Sequence, residues 1–453
     1  MITTNPVLPD PAKLTTLSRR TLLAGIGATA AATALAACSS DETPASTDGK
    51  LSGSINVWGG VPPENGPQEL VDAFMKANPG TTVTYTRFVN DDQGNLKLDT
   101  GLQGGSDIDV FTTYSMPLLA QRVGAGLAAD LSDKIAGVKE FAPYAANADP
   151  VQNFTHDGKV YGIPAQTSPT TVLANLDMFE KAGITPPESW SFDEYRDVAK
   201  KLSQGNVKGS FNAPPSARAT LGPDAYYAAD GKSSNFRNEA FRQEIQRNLD
   251  MSNEGSAMDM KTILAEKLQV YTQGPFLQGR VGMITSQLFL VRYISNLKEF
   301  PHDFKTIALP QPGPSASDDG WNTGAVGDIL SVNSKSKNPD LAWALIEFWM
   351  KNAAKYMTKG GRLPSLAGDE TPDSLLGQLL GADAEKIYDV ASFKKMLFER
   401  KNKIIVDTKF AAAAQITQIM TQLSQEVLLG TRPVDSYIDE LAKQADAAIG
   451  KAS

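Results

Sequence analysis

The sequence predicts an α/β protein built as two lobes. Three observations carry that expectation. Strand-like and helix-like segments alternate as β-α-β-α-β over residues 53–112. The alternation continues along the rest of the chain, with long excursions. Once the first 37 of 453 residues are set aside as a leader, the remainder is too long for one compact core and suits two.

The leader is legible from charge and hydropathy. A polar start gives way at Ser18-Arg19-Arg20-Thr21-Leu22-Leu23 to an uncharged, Ala-rich run that ends at Ala37. Rich in Ala and Thr and shorter than a full span, that run reads as an export signal (1–37) and not as a permanent membrane helix. The paired arginines resemble the twin-arginine signal, with the dibasic start of an ordinary secretory signal as the alternative. Leu35-Ala36-Ala37-Cys38 resembles the lipobox of bacterial lipoproteins, and Cys38 is the only cysteine in the chain. Lipidation there implies an extracytoplasmic protein held to the cell membrane through acyl chains alone. It also leaves no thiol for a disulfide or a Cys-ligated metal. Residues 38–50 then read as a flexible tether.

The 43 Lys and Arg against 51 Asp and Glu give a formal net charge of −8, which argues against a nucleic-acid partner. Gly53–Gly60 is a short strand closed by two glycines, and Gln68–Ala77 a helix that places Leu70, Val71, Phe74 and Met75 on one face. Asn78-Pro79-Gly80 stops that helix. The β-branched run Thr81–Val89 is the second strand, Leu96–Leu102 a short helix and Asp107–Thr112 the third strand. Ligands in open α/β sheets sit beyond the carboxyl ends of strands, which here points to Trp58-Gly59-Gly60 and Thr113-Tyr114-Ser115. Further on, 159–164 and 171–175 are strand-like around a polar turn, Gln166-Thr167-Ser168. Ser191 and Glu194 form a capping box for a helix to Leu202. Phe304–Leu309 and Asp328–Val332 read as strands, Pro339–Lys351 as an amphipathic helix, and 410–449 as helix broken near Gly430–Pro433.

Eight segments in this order resemble the extracellular solute-binding proteins of carbohydrate ABC importers, the maltose-binding type. They include INVWGG, AFMKANPGTTVTY, DGKVYGIPAQTSPTTVLANLDMFEKAGITPPESW, FLQGRVGMITS, TIALPQPG and GDILSVNSKSKNPDLAWALIEFWM, and together they span nearly all of 51–449. The resemblance implies a two-lobed periplasmic-binding-protein fold of type II, each lobe a mixed sheet flanked by helices, with a solute held between them. It implies a first lobe of 51–165 and 328–372 and a second of 166–327 and 373–453. Crossings would lie near Tyr161–Thr171 and Trp321–Ile329. The implied partners are a small solute, chiefly a mono- or oligosaccharide, and ABC permease subunits, with the chain acting as a monomer.

Enzymatic chemistry finds no constellation. His156 and His302 are the only histidines, and both read as solvated loop residues. The glycine-rich pieces match neither a dinucleotide fingerprint nor a P-loop, and no G-x-S-x-G elbow occurs. The expectation is a binding protein without catalysis, cofactor or metal. A sugar needs an aromatic face for its C–H side and planar polar groups for its hydroxyls. Trp58, Tyr114 and Trp321 sit at predicted strand ends beside small or polar residues and are the aromatic candidates, with core packing as the competing role. Trp343 and Trp349 fall in an apolar helix and are assigned to the core. By resemblance, Gln166, Thr167 and Ser168 supply polar contacts at the hinge, Asn322 follows at the second crossing, and Arg362 lies in a loop at the cleft rim. Gln287 and Phe289 occupy positions where the family usually shows a Gly and then a Trp. That departure keeps a ring but loses the indole N–H, and it leaves open a polyol, glycerol phosphoester, peptide or organic anion as solute. An anion would want converging cations, and Arg87 and Arg362 are the main candidates.

Overall fold

The structure is a computed structural model that describes residues 50–148, 155–317, 320–366 and 368–452. The leader and Cys38 lie outside the described residues. Among the described residues, eleven strands form two larger sheets and one small hairpin. In chain order they are β1 Gly53–Gly59, β2 Thr81–Arg87, β3 Val110–Thr113, β4 Thr155–His156, β5 Lys159–Val160, β6 Ile163–Ser168, β7 Thr171–Asn175, β8 Lys208–Ser210, β9 Val281–Ser286, β10 Thr306–Pro310 and β11 Ala325–Val332.

The first sheet has the order β2-β1-β3-β11-β6, and the second β10-β7-β9-β8. Strands β1, β2 and β3 run parallel, with Ile55 beside Val83 and Val57 beside Val110, so helices must return the chain between them. The first of these, Pro67–Ala77, buries Leu70, Val71 and Phe74. Its Phe74 meets Phe348 edge-on at 5.5 Å, joining it to the helix Pro339–Met357. That helix buries Trp343 and Trp349 in the first lobe's core, the role assigned to them from their helical spacing.

The second sheet is covered by the helix Phe192–Leu202, whose capping box forms as expected: the Ser191 N–H donates to Glu194 Oε2 at 2.7 Å and the Glu194 N–H to Ser191 Oγ at 3.2 Å. Trp190 stays structural, its indole N–H donating to the Pro310 carbonyl at 2.7 Å. The closing helices Ala413–Leu428 and Val434–Ala452 pack with Glu239–Asn253 around Phe241, Ile416 and Leu441. Together the two sheets and their helices make the α/β, two-lobed periplasmic-binding-protein architecture expected from sequence.

The chain passes between sheets at two adjoining places. It leaves β6 at Ser168 and enters β7 at Thr171, and it returns between Pro310 and Ala325. Two sequence expectations change here. Gln166, Thr167 and Ser168 are not a turn but the end of β6, paired in the first sheet with Gly327, Val326 and Ala325. The break falls instead at Pro169-Thr170, since proline lacks the N–H a ladder needs. His302 is no solvated loop residue either. Its ring stacks on Phe304 at 4.4 Å and reaches the Ile294 carbonyl at 3.0 Å.

One surface tie yields a pH prediction. Arg196 donates to both oxygens of Glu254, at 2.9 and 2.7 Å, joining the helix Phe192–Leu202 to the end of Glu239–Asn253. Chiefly through that hydrogen bonding the Glu254 carboxyl is held at about 2, below its ordinary 4.5. A carboxyl depressed on folding contributes stability in full above its unfolded value and loses it as pH falls through the folded one. Glu254→Gln is therefore expected to cost about 1 kcal/mol near neutrality and to flatten the acid loss of melting temperature between pH 4.5 and 2. An unchanged acid slope would count against the tie.

Candidate functional site

The carboxyl ends of the first sheet's strands build one side of the site. Gly59 and Gly60 follow Trp58 because two tyrosine rings lie against the backbone there. A Cβ on Gly59 would sit 2.5 Å from the Tyr85 hydroxyl, and one on Gly60 3.0 Å from the Tyr114 ring. Tyr85 donates to the Val61 carbonyl at 2.8 Å, while the Tyr114 hydroxyl accepts from the Gly60 N–H at 2.5 Å. Burial, above all, pushes both phenols well above their ordinary value, so both remain neutral hydroxyls at any physiological pH.

Behind the tyrosines lies an ion pair. Arg362 Nε donates to Asp328 Oδ2 at 3.1 Å and its Nη1 to the Gly360 carbonyl at 3.1 Å. Both side chains are buried, 11% and 5% exposed. Burial pulls the Arg362 pKa down, but Asp328 together with the Tyr114 and Tyr85 hydroxyls leaves the guanidinium above its ordinary value. Arg362 reaches this place because the preceding residue, Gly361, has φ +81 and lies so close to the other lobe that a Cβ there would sit 2.9 Å from the Leu288 carbonyl oxygen and 3.2 Å from Phe289 Cα.

The second lobe contributes a cleft of about 490 Å³ lined by Asn212, Arg218, Glu244, Gln287, Phe289 and Thr323. Arg218 donates to Asp407 at 2.5 Å and lies 5.4 Å from the Tyr226 ring centre. Glu244 accepts from the Ala217 N–H at 2.8 Å, and burial raises its pKa. An aromatic face, amides, hydroxyls and neutralised charges thus line one cavity. That set suits a polyhydroxylated molecule. Among the described residues no three His, Cys, Asp or Glu side chains are grouped to hold a metal.

The residues expected from sequence divide into three groups. Gln287 and Phe289 line the second lobe's cleft, whereas Tyr114 and Arg362 lie near each other at the first lobe's strand ends and the Gln166 amide lies against Gly327. Trp58 is half-buried, with the Lys97 ammonium 5.5 Å from its ring centre, and packs against the first lobe's cluster around Phe88, Leu98 and Phe111. Thr167 and Ser168 serve the crossing: the Thr167 N–H donates to Leu363, and Ser168 Oγ accepts from the Leu288 N–H at 3.3 Å.

Asn322 and Trp321 differ from expectation. Asn322 is buried, and its amide bonds both backbone groups of Thr170, at 2.8 and 3.0 Å, and the Gly324 N–H at 2.8 Å. It is a clip between the crossings with little left for a ligand. Trp321 is drawn away by its N–H bond to Ala219, and its indole lies on Gly222. The recess it lines, with Gln311 and Lys403, holds about 30 Å³, the room of a single water and not of a sugar ring.

Sequence reasoning missed Tyr85, Asp328, Arg218 and Glu244. Only Asp328 carried a local signal, as a charge inside an otherwise apolar strand, Ala325–Val332.

Comparison with known proteins agrees with this architecture. The family model for bacterial extracellular solute-binding proteins matches residues 61–356. A binding protein of Brucella abortus (strain 2308) is 25% identical over 85% of this chain and 90% of its own length. The arabinooligosaccharide-binding protein of Bacillus subtilis (strain 168) is 23% identical over 55% of this chain and 53% of its own. Among solved structures, an ABC substrate-binding protein of Listeria monocytogenes in complex with cycloalternan superposes with a TM-score of 0.71. It is 19% identical and covers 88% of this chain and 100% of its own.

Proposed function

The chain belongs to the bacterial extracellular solute-binding proteins, and from that premise we propose that it captures a mono- or oligosaccharide between its lobes and delivers it to an ABC import permease. The observation that carries this reading is the cleft itself. Phe289 offers a ring face, and Gln287, Asn212 and Thr323 offer hydrogen bonds, on a second lobe that adjacent crossings join to the first. Crossing strands of this kind absorb the few dihedral changes of a hinge. A solute touching both lobes stabilises only the closed state, which is the state a permease can recognise. The sugar-binding relative from Bacillus subtilis supports the choice of ligand class. Nothing in the site is arranged for turnover, so the protein binds and releases its solute unchanged. Cys38, as the sole thiol at the end of the leader, carries the lipid that keeps the protein at the membrane.

One experiment tests both parts. A Cys38→Ser variant is expected to leave the washed membrane fraction, and the soluble protein is then screened by thermal shift against lactose, maltose, arabino-oligosaccharides, D-mannitol, tripeptides and glycerol 3-phosphate. A ligand at a hundredfold its Kd adds about 2.7 kcal/mol to the native state, which raises the melting point by several degrees. A shift with a peptide or phosphoester and with no saccharide would replace the carbohydrate reading. Membrane retention of the variant would remove the lipid anchor.

A further inference from the structure

Asp328 stands out on three independent grounds. It is a charged residue, 5% exposed, in a strand whose neighbours Gly327 and Ile329 keep regular register with Gln166 and Pro164. Its φ is +48, a conformation that costs a non-glycine residue free energy and is held only where the surroundings over-determine it. Its two carboxylate oxygens are also treated unequally. Oδ2 takes the Arg362 hydrogen bond, while Oδ1 is buried and accepts nothing among the described residues. Buried polar atoms are almost always paired, and an orphaned carboxylate oxygen is among the costliest exceptions.

The surroundings say what such an atom could serve. The carboxylate lies within electrostatic reach of the Tyr85 and Tyr114 hydroxyls, at the first lobe's strand ends. Its partner Arg362 follows Gly361, whose backbone touches Phe289 of the second lobe's cleft. We propose that Asp328 and Arg362 form a charge-neutral fork for adjacent hydroxyls of an uncharged ligand, with Asp328 Oδ1 accepting one O–H and the Arg362 guanidinium donating to the neighbouring oxygen. This rests on the carbohydrate reading and narrows it to neutral saccharides and polyols. A uronate, aldonate or phosphoester would bring its anion against a carboxylate that already neutralises Arg362. The second lobe repeats the arrangement, since Arg218 is matched by Asp407. Arg87 is exposed on the rim and provides no buried counter-charge.

Two variants test the fork, and both respect the backbone. Asp328→Asn keeps the shape, and Asn tolerates positive φ; Asp328→Gly removes the side chain and relieves the strain, which offsets part of the cost of leaving Arg362 unpaired, and melting of each unliganded variant checks that it folds. Each is compared with wild type by calorimetry and thermal shift using matched probes: lactose with lactobionate, D-glucose with D-glucuronate, and D-mannitol with D-gluconate. Wild type is expected to bind a neutral member and reject its anionic counterpart. The variants are expected to lose about tenfold or more for the neutral probe and to admit the anionic one at the freed Arg362. Unchanged neutral affinity in both variants, or equal binding of both members by wild type, would overturn the fork. If wild type binds no neutral probe but the variants gain the anionic ones, the carbohydrate reading falls while the fork stands. If neither wild type nor variant responds to any probe, the fork is overturned with it.

Discussion

Gly324→Ala is expected to destabilise the protein by about 3 kcal/mol or more, because the new methyl group has nowhere to go. A Cβ at that position would stand 2.3 Å from the Ser168 carbonyl oxygen, 2.7 Å from Pro169 Cα and 2.8 Å from Asn322 Oδ1. Two of these atoms are backbone of the other crossing. The third belongs to the amide that clips Thr170 and Gly324 together. Relief requires the crossings to separate, which breaks the clip and leaves a buried amide without its partners. Urea unfolding measures the loss, and the thermal shift produced by a bound solute should shrink with it, since closure pivots there. Gly377→Ala serves as the control. That position lies in the helix Pro372–Leu380 with open space around it, so alanine should be neutral or stabilising. Equal stability of the two variants would show that the crossings are not the rigid pivot inferred from their contact.

Arg362→Ala is expected to cost about 3–5 kcal/mol, more than the hydrogen bonds it removes, because it strands a buried carboxylate. Asp328 would lose its only charge-assisted partner while staying 5% exposed in the middle of β11. The double variant Asp328→Gly/Arg362→Ala removes both charges and relieves the positive φ, so most of the lost stability should return. The coupling is read from the four melting curves of the double-mutant cycle. Additive losses would mean that the two side chains do not act as a pair. Arg362 follows Gly361, which lies against the second lobe's Leu288 and Phe289, so stability and solute affinity are expected to fall together.

Much of the fold was legible because it rests on local pattern. The β-branched run of Thr81–Val89, the helical spacing of Leu70, Val71 and Phe74 and the Ser191–Glu194 box are each complete within a few residues. All three form, as the strand Thr81–Arg87, the helix Pro67–Ala77 and the capped helix Phe192–Leu202. The order of such segments also sufficed to place the chain in its family. The site was legible only in part. Segment order pointed to Gln287 and Phe289, which line the second lobe's cleft, and to Arg362, which meets Tyr114 at the first lobe's strand ends. Trp321 was misplaced because an aromatic at a strand end looks the same from sequence whether it faces a cleft or lies on Gly222.

By itself, then, the sequence determined the alternation of elements and the two-lobed class, since each is written in composition or in a period of a few residues. Only the tertiary structure decided which polar groups meet. Gly60 finds Tyr114 across 54 residues, Asp328 finds Arg362 across 34, and Arg218 finds Asp407 across 189. No local period encodes such separations. They follow from the path of the chain through two sheets, which brings distant side chains into a low-dielectric interior where an unpaired charge is too costly to keep.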